Sequence, residues 1–357
     1  MAILQKKRFF CRIACGAILL FLCIWAAGGP VWGAAADPCD VQRVGVYAAS
    51  PGRLAGPSQF AQAVSMLQSA SNGRNLMVAQ MVCRDYEEAK LCRLFPARPL
   101  EPRHREIICY GRSGSGRELL AYRFGTGKHV LVVAFAIHGW EDNFQQDGQL
   151  LSDTADLLMQ ALTGPAAQQL ASGDWTVYVL PCLNPDGLYD GWTCNGPGRC
   201  TTHYLNADGL VEVGTGVDLN RCFPYRFVWD YSSRNYCGSE PLGAREAVAL
   251  AQFTQSVMGD GYNILIDTHG WYCQTIVSDG WSGDLFQTFQ DYFPGNSYAS
   301  LGGADGYFSA WAAYELGYDA CLFEFPSVSS ARDFREKGYG QDYVEAVCAI
   351  LETYGNR

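Results

Sequence analysis

Two residue types that bind divalent metals lie three apart in His138-Gly-Trp-Glu141, directly after an apolar run over residues 130–137. A continuous β-rich run of that length reads as a buried strand. A His and a Glu three apart, just past a strand end, can both turn back onto one ion. Zinc accepts imidazole nitrogen and carboxylate oxygen, and its catalytic sites use three protein ligands plus water. The third ligand should come from another strand end, where His269 follows Tyr262-Asn-Ile-Leu-Ile-Asp267. Of the five histidines, His104 and His129 fall in or beside predicted surface segments and His203 in a predicted loop. A His-x-x-Glu pair alone arises often by chance, and a single His at a strand end is ordinarily just hydrogen-bonded. The zinc reading therefore needs support from the rest of the chain.

The elements that must hold these residues alternate. Strands are predicted over 106–110, 119–124, 130–137, 175–180, 263–267 and 320–325, and helices over 147–162, 245–258, 310–316 and 343–354. This order implies an α/β fold with a mixed, mainly parallel central sheet flanked by helices. Ligands on such sheets gather at the carboxyl ends of strands, which is where His138 and His269 fall. No internal repeat or low-complexity linker interrupts the pattern.

The chain has 357 residues, 48% of them apolar and 17% charged. That suits one large globular domain with a small appendage and argues against disorder. No set of segments reads as a multispanning membrane protein. At the N-terminus, Lys6, Lys7, Arg8 and Arg12 precede an apolar stretch over 13–27, and small residues follow at Gly33 to Ala36. Residues 1–36 read as a secretory signal peptide; the alternative is a retained membrane anchor. Cleavage there removes four positive charges and takes the formal net charge from −10 to −14. Such a charge argues against a nucleic-acid partner and against electrostatic attachment to anionic lipid, and cleavage leaves no stable membrane span. Three of the 15 cysteines lie in this leader, which leaves 12, an even number. In an oxidising compartment these predict up to six disulfides, with Cys194 and Cys200 near enough in sequence for a short bridge. A secreted or cell-envelope location is the expectation. Residues 37–103 end in the Pro-bearing run Phe95-Pro-Ala-Arg-Pro-Leu-Glu-Pro102. They read as a propeptide, an accessory region or an N-terminal arm ahead of a catalytic domain over 104–357.

Six segments in order resemble the zinc carboxypeptidases of the carboxypeptidase A type, the M14 metallopeptidases. They are Gly111-Arg-Ser-Gly-Ser-Gly-Arg117, His138-Gly-Trp-Glu141, Asn184-Pro-Asp-Gly187, Gly216-Val-Asp-Leu-Asn-Arg221, Asp267-Thr-His269 and Leu322-Phe-Glu-Phe-Pro326. The resemblance runs from about residue 106 to the C-terminus. It implies the family's three-layer, phosphorylase/hydrolase-like sandwich, one Zn2+ per chain, and a peptide substrate with a free C-terminal carboxylate. It assigns the zinc ligands to His138, Glu141 and His269, and the carboxylate backing the first His to Asp218. Glu324 matches the general base. Asn220 and Arg221 match the pair that binds the substrate carboxylate, and Arg199 falls at about the spacing of the oxyanion-stabilising Arg. Tyr298, four residues before Gly302-Gly303, matches the mobile Tyr that closes over substrate, with Tyr307 the second choice. Asp305 falls at the side-chain selector, where an acid suits an amine: a Lys or Arg end, or the second ammonium of diaminopimelate.

From the residues alone, blander roles stay open. Asp218 could be a turn or cap residue, Glu324 a strand-end surface acid, Arg199 a solvated loop residue, and Tyr298 a surface aromatic. Cys222 stands where the family often has Asn and reads as a disulfide or buried thiol. The run Gly191-Trp-Thr-Cys-Asn-Gly-Pro-Gly-Arg-Cys200 looks more like bacterial members acting on peptidoglycan stem peptides than like digestive enzymes. Two other readings compete: a zinc amide hydrolase of the aspartoacylase and desuccinylase type, and a catalytically silent binding module on the same fold.

Overall fold

Trp175–Leu180 is buried at every position, and that six-residue run is one of the inner strands of an eight-stranded sheet. The structure is a computed structural model and describes residues 105–214, 216–278 and 283–355. The expectations for residues 1–36 and 37–103 lie outside these. In chain order the strands are β1 (Arg105–Arg112), β2 (Glu118–Gly125), β3 (His129–Phe135), β4 (Trp175–Leu180), β5 (Thr193–Cys200), β6 (His203–Leu205), β7 (Val211–Val213), β8 (Asn263–Gly270), β9 (Gln274–Val277), β10 (Ser297–Ser300) and β11 (Asp319–Phe325). The helices are α1 (Gly148–Thr163), α2 (Ala167–Ser172), α3 (Pro185–Asp190), α4 (Arg245–Ser256), α5 (Gly283–Tyr292), α6 (Phe308–Trp311), α7 (Ala331–Glu336) and α8 (Tyr339–Gly355). A π-helical turn, Ala312–Leu316, continues α6.

The sheet order is β1-β2-β4-β3-β8-β11-β9-β10. Its centre, β4-β3-β8-β11, is parallel. Antiparallel pairings of β1 with β2, β2 with β4, and β9 with β11 make the whole sheet mixed. The central strands are buried on both faces, so they read as unbroken apolar runs. On one face Val130, Val132, Ala134, Leu265, Ala320 and Leu322 pack with Leu250 and Phe253 of α4 and with Phe308 and Trp311 of α6. On the other, Phe323 stacks on Phe289 of α5, with centroids 4.2 Å apart, and meets Tyr343 of α8. Helix α8 also holds Trp175, whose indole donates to Leu351 O at 2.9 Å. Helices on both faces give the three-layer sandwich expected.

Among the described residues, the expected disulfides do not link Cys182, Cys194, Cys200, Cys222, Cys237, Cys273, Cys321 or Cys348, all of which are free thiols. The predicted Cys194–Cys200 bridge is replaced by contacts of the Cys200 thiol with the carbonyls of Ser233 and Arg234. Cys222 likewise turns to Leu219 O. The buried Cys182, Cys200, Cys222, Cys237 and Cys321 serve as small apolar residues.

Candidate active site

Because β3, β8 and β11 run parallel and adjacent, their carboxyl ends open on one edge. Phe135 pairs with Thr268, and His269 pairs with Glu324. Residues from three strand ends thus meet there. Strand β3 stops at Phe135 because Ala136 takes a left-handed backbone, φ 51°, and the chain turns so that His138 and Glu141 face inward. This turn lies hard against α3 and β5: Leu183 and Asn184 donate to the carbonyls of Phe135 and Ala136, and Trp140 donates to Gly198 O. A Cβ on Gly139 would collide with the Gly187–Leu188 backbone, so only glycine allows the close approach.

His138 Nδ1 lies 3.0 Å from Glu141 Oε2, and His269 Nδ1 lies 3.2 Å from Glu141 Oε1. One donor atom from each of the three residues falls within 4.8 Å of the others, and all three side chains are buried. The far nitrogens face carboxylates. His138 Nε2 is 2.9 Å from Asp218 Oδ1. His269 Nε2 is 3.1 Å from Asp267 Oδ2, in an ion contact whose alignment is too poor for a hydrogen bond. Each imidazole thus offers Nδ1 to a common centre while an acid holds the opposite edge, which fixes the tautomer and raises ligand basicity. Two imidazole nitrogens, one carboxylate and their backing acids fit a catalytic zinc site. Without the metal's charge, burial works against ionised Glu141, yet His138 and His269 hold its carboxyl well below the usual range. Burial alone would lower His269, but Asp267 and Glu141 raise its pKa well above the ordinary value.

Arg199 joins this cluster. Its Nε donates to Asp218 Oδ2 at 3.1 Å and its Nη1 lies 3.5 Å from Glu141 Oε2. Burial opposes the charge, but Asp218 and Glu141 raise its pKa further above the ordinary value. Burial likewise opposes ionised Asp218, which Arg199 and His138 hold well below the usual carboxylate range. The Arg199 carbonyl is gripped by Asn184 Nδ2 at 3.0 Å. Asn184 also caps α3, accepting from Gly187 N. Helix α3 is in turn locked to the β1–β2 turn, because Asp186 accepts from Ser113, Ser115 and Arg117. The segments Gly111-to-Arg117 and Asn184-to-Gly187 therefore frame the site and do not touch its centre.

Glu324 stands beside His269 in the sheet and accepts from Tyr272 N at 3.1 Å. Burial raises its pKa; His269 opposes this and Glu141 adds to it. Asn220 is buried, with Oδ1 accepting from Phe308 N at 3.0 Å. Arg221 donates to Asn220 O at 2.7 Å, and its guanidinium carbon lies over the Tyr307 ring, 4.4 Å from the centroid. Tyr307 is thus the tyrosine under Arg221. Tyr298 sits on β10, 57% exposed, with its ring edge-on to Phe286; no contact joins it to the cluster. Asp305 also stands apart from the cluster and forms an exposed pair with Arg226 Nε at 2.6 Å.

Three residues of the site, Asp267 among them although it lies inside a matched segment, are given no role by the sequence. Asp267 and His269 are two apart on one strand and so share a face, a signal that was available. Asp147 and Trp271, bonded to each other at 2.8 Å beside the ligand turns, carry no sequence signal of that kind.

The profile of the zinc carboxypeptidase family matches residues 99–282. That is just over half of the chain and takes in all three ligands, and the chain belongs to this family. Bacteriocin BCN5 of Clostridium perfringens is 36% identical over 251 residues, 70% of this chain and 26% of the relative. The chain thus spans about a quarter of that relative's length. Among solved structures, bovine thrombin-activatable fibrinolysis inhibitor, crystallised with a tick carboxypeptidase inhibitor, shares the fold with a TM-score of 0.55. Its identity is 19%, over 71% of this chain and 91% of that one. Carboxypeptidase A of Helicoverpa armigera gives 0.53 at 16% identity, over 70% and 69%. Zinc is the metal of this family, and the donor set described above suits it.

Proposed function

We propose that the chain is a zinc carboxypeptidase that hydrolyses the bond next to a free carboxylate, with Glu324 as general base. The observation that carries this is the pairing of Glu324 with His269 across β11 and β8, beside a buried two-histidine, one-carboxylate cluster. When bound, zinc supplies a Lewis acid that polarises the scissile carbonyl and acidifies water. Glu324, kept basic by burial, takes a proton from the attacking water and hands it to the leaving nitrogen. Arg199, anchored through Nε, offers its remaining donors to the carbonyl oxygen as negative charge develops. Arg221, held over Tyr307, would take the terminal carboxylate in a bidentate grip, with Asn220 beside it. Tyr298 can close over substrate only by leaving Phe286.

The substrate side chain would meet the Arg226–Asp305 pair. A lone acid would suit a Lys or Arg end. An acid already paired with a guanidinium suits a zwitterionic end better, because the ammonium and carboxylate each find a partner. The distal centre of diaminopimelate in bacterial wall peptides has this form, so a γ-D-glutamyl-diaminopimelate bond is our preferred substrate. A relative named a bacteriocin supports a target outside the producing cell, as do the basic start, apolar run and small-residue exit of residues 1–36. Residues 37–103 would precede the catalytic domain as a propeptide or accessory region. The test is incubation with defined wall peptides and with peptides ending in Lys or Phe, with products identified by mass. Fastest release of diaminopimelate is expected; equal rates on all three would remove any selecting role for Asp305 and Arg226.

A further inference from the structure

Asp147 precedes α1 at its N-cap position, where an Asp ordinarily accepts from the first amides of its own helix. Its side chain makes no such bond. It turns back instead onto the two segments that carry the metal ligands. Oδ1 accepts from the backbone amide of Glu141 at 2.5 Å. Oδ2 accepts from Asn143 N at 2.8 Å, more weakly from Phe144 N at 3.5 Å, and from the Trp271 indole at 2.8 Å. Asp147 is fully buried and Trp271 nearly so.

Glu141 is itself a ligand, and Trp271 stands two residues beyond His269. One carboxylate therefore touches the turn after β3 and the turn after β8 together. Close packing reinforces the joint: a Cβ on Gly148 would strike the carbonyls of Gly139 and His138, so the start of α1 presses directly on the first ligand turn.

We infer that Asp147 is a positioning residue that ties the Glu141 turn to the His269 turn, so that the three donors keep their spacing before the metal arrives. Every hydrogen-bond partner of its carboxylate is an N–H donor, so the site suits two acceptor oxygens and rejects an amide. In Asp147→Asn, the new NH2 would oppose the donors of Asn143 and Trp271. Trp271→Phe deletes the indole donor and frees one side of the joint while leaving Asp147 in place.

This role rests on His138, Glu141 and His269 as the ligands, and the zinc stoichiometry of the wild-type protein checks that separately. The experiment measures the zinc affinity of the apo protein by competition with a chromophoric chelator, and the visible spectrum of the cobalt-loaded protein. Asp147→Asn should weaken zinc about 10–100-fold, the range for residues that orient metal ligands, and alter the cobalt bands. Trp271→Phe should move both readouts in the same direction by less. The double variant should lose less than the two single losses combined, because both act on one joint. A purely structural role would lower Tm and leave the affinity and spectrum of the folded protein unchanged; that result would overturn the inference. Should Asp147→Asn fail to fold, unchanged affinity and spectrum in Trp271→Phe would overturn it equally.

Discussion

Replacing Glu246 by Gln should stabilise the protein at alkaline pH and not at acid pH. Glu246 lies in the first turn of α4 and is almost fully buried. Its Oε1 accepts from Gly114 N at 3.0 Å, while Oε2 has no hydrogen-bond partner. Burial raises its pKa, the charge of Asp186 adds to the rise, and the amides of Gly114 and Glu246 offset only part of it. The unfolded chain ionises this group from about pH 4.3 upward, whereas the folded protein keeps it neutral to a higher pH. A folded pKa above the unfolded value means a contribution fully present below the unfolded pKa and lost as pH rises toward the folded one. Gln keeps the acceptor for Gly114 and puts a neutral amide N–H where Oε2 stands, a donor in the field of Asp186. Between its unfolded and folded pKa values the wild type loses about 1.4 kcal/mol per pH unit and the variant does not, so the variant should gain roughly 1–3 kcal/mol or more at pH 8 relative to pH 4. For a domain of this size the gain is roughly 2–10 °C in Tm. The assay is thermal unfolding by circular dichroism across that pH range, both proteins in the same chelating buffer so that metal release does not enter. A Tm difference of the same sign and size at every pH would refute the reasoning.

Two further outcomes follow from the site. Arg199→Met should lower kcat about 10²–10³-fold with a smaller change in KM, the loss expected for an oxyanion donor; steady-state kinetics check this, and a rise in KM at constant kcat would reassign Arg199 to substrate binding. Zinc binding should release a proton near pH 7, because His269 is held protonated above its ordinary range by Asp267 and Glu141, and affinity should therefore weaken on acidification. Calorimetry in buffers of different ionisation enthalpy measures the release, and a pH-independent affinity would contradict it.

The centre of the fold was legible because β3, β4, β8 and β11 are buried on both faces, so sequence alone marks them by continuous apolar runs. Strand β4 falls on the predicted residues, and β3 ends two residues early only because of the turn at Ala136. Strand β5 was not legible: its Asn-Gly-Pro-Gly run carries every sign of a loop, and it is met by distant backbone, Trp140 N donating to Gly198 O. Short β9 and β10 offer no periodicity, and α5 is too brief to stand out. Among the site residues, His138, Glu141 and His269 could be named because strand ends converge in parallel sheets. Glu324 follows from the same rule. Asp305 could be named, but its partner could not, because Arg226 lies 79 residues away. The joint between Asp147 and Trp271 spans 124 residues and belongs to tertiary packing alone.

The central claim is that His138, Glu141 and His269 hold the metal while Glu324 moves the proton. The most direct measurement is zinc content and turnover of Glu324→Gln, determined on the same preparation. One zinc per chain is expected, as in the wild type, with kcat reduced by at least about 10²-fold. Full turnover in that variant would contradict the claim.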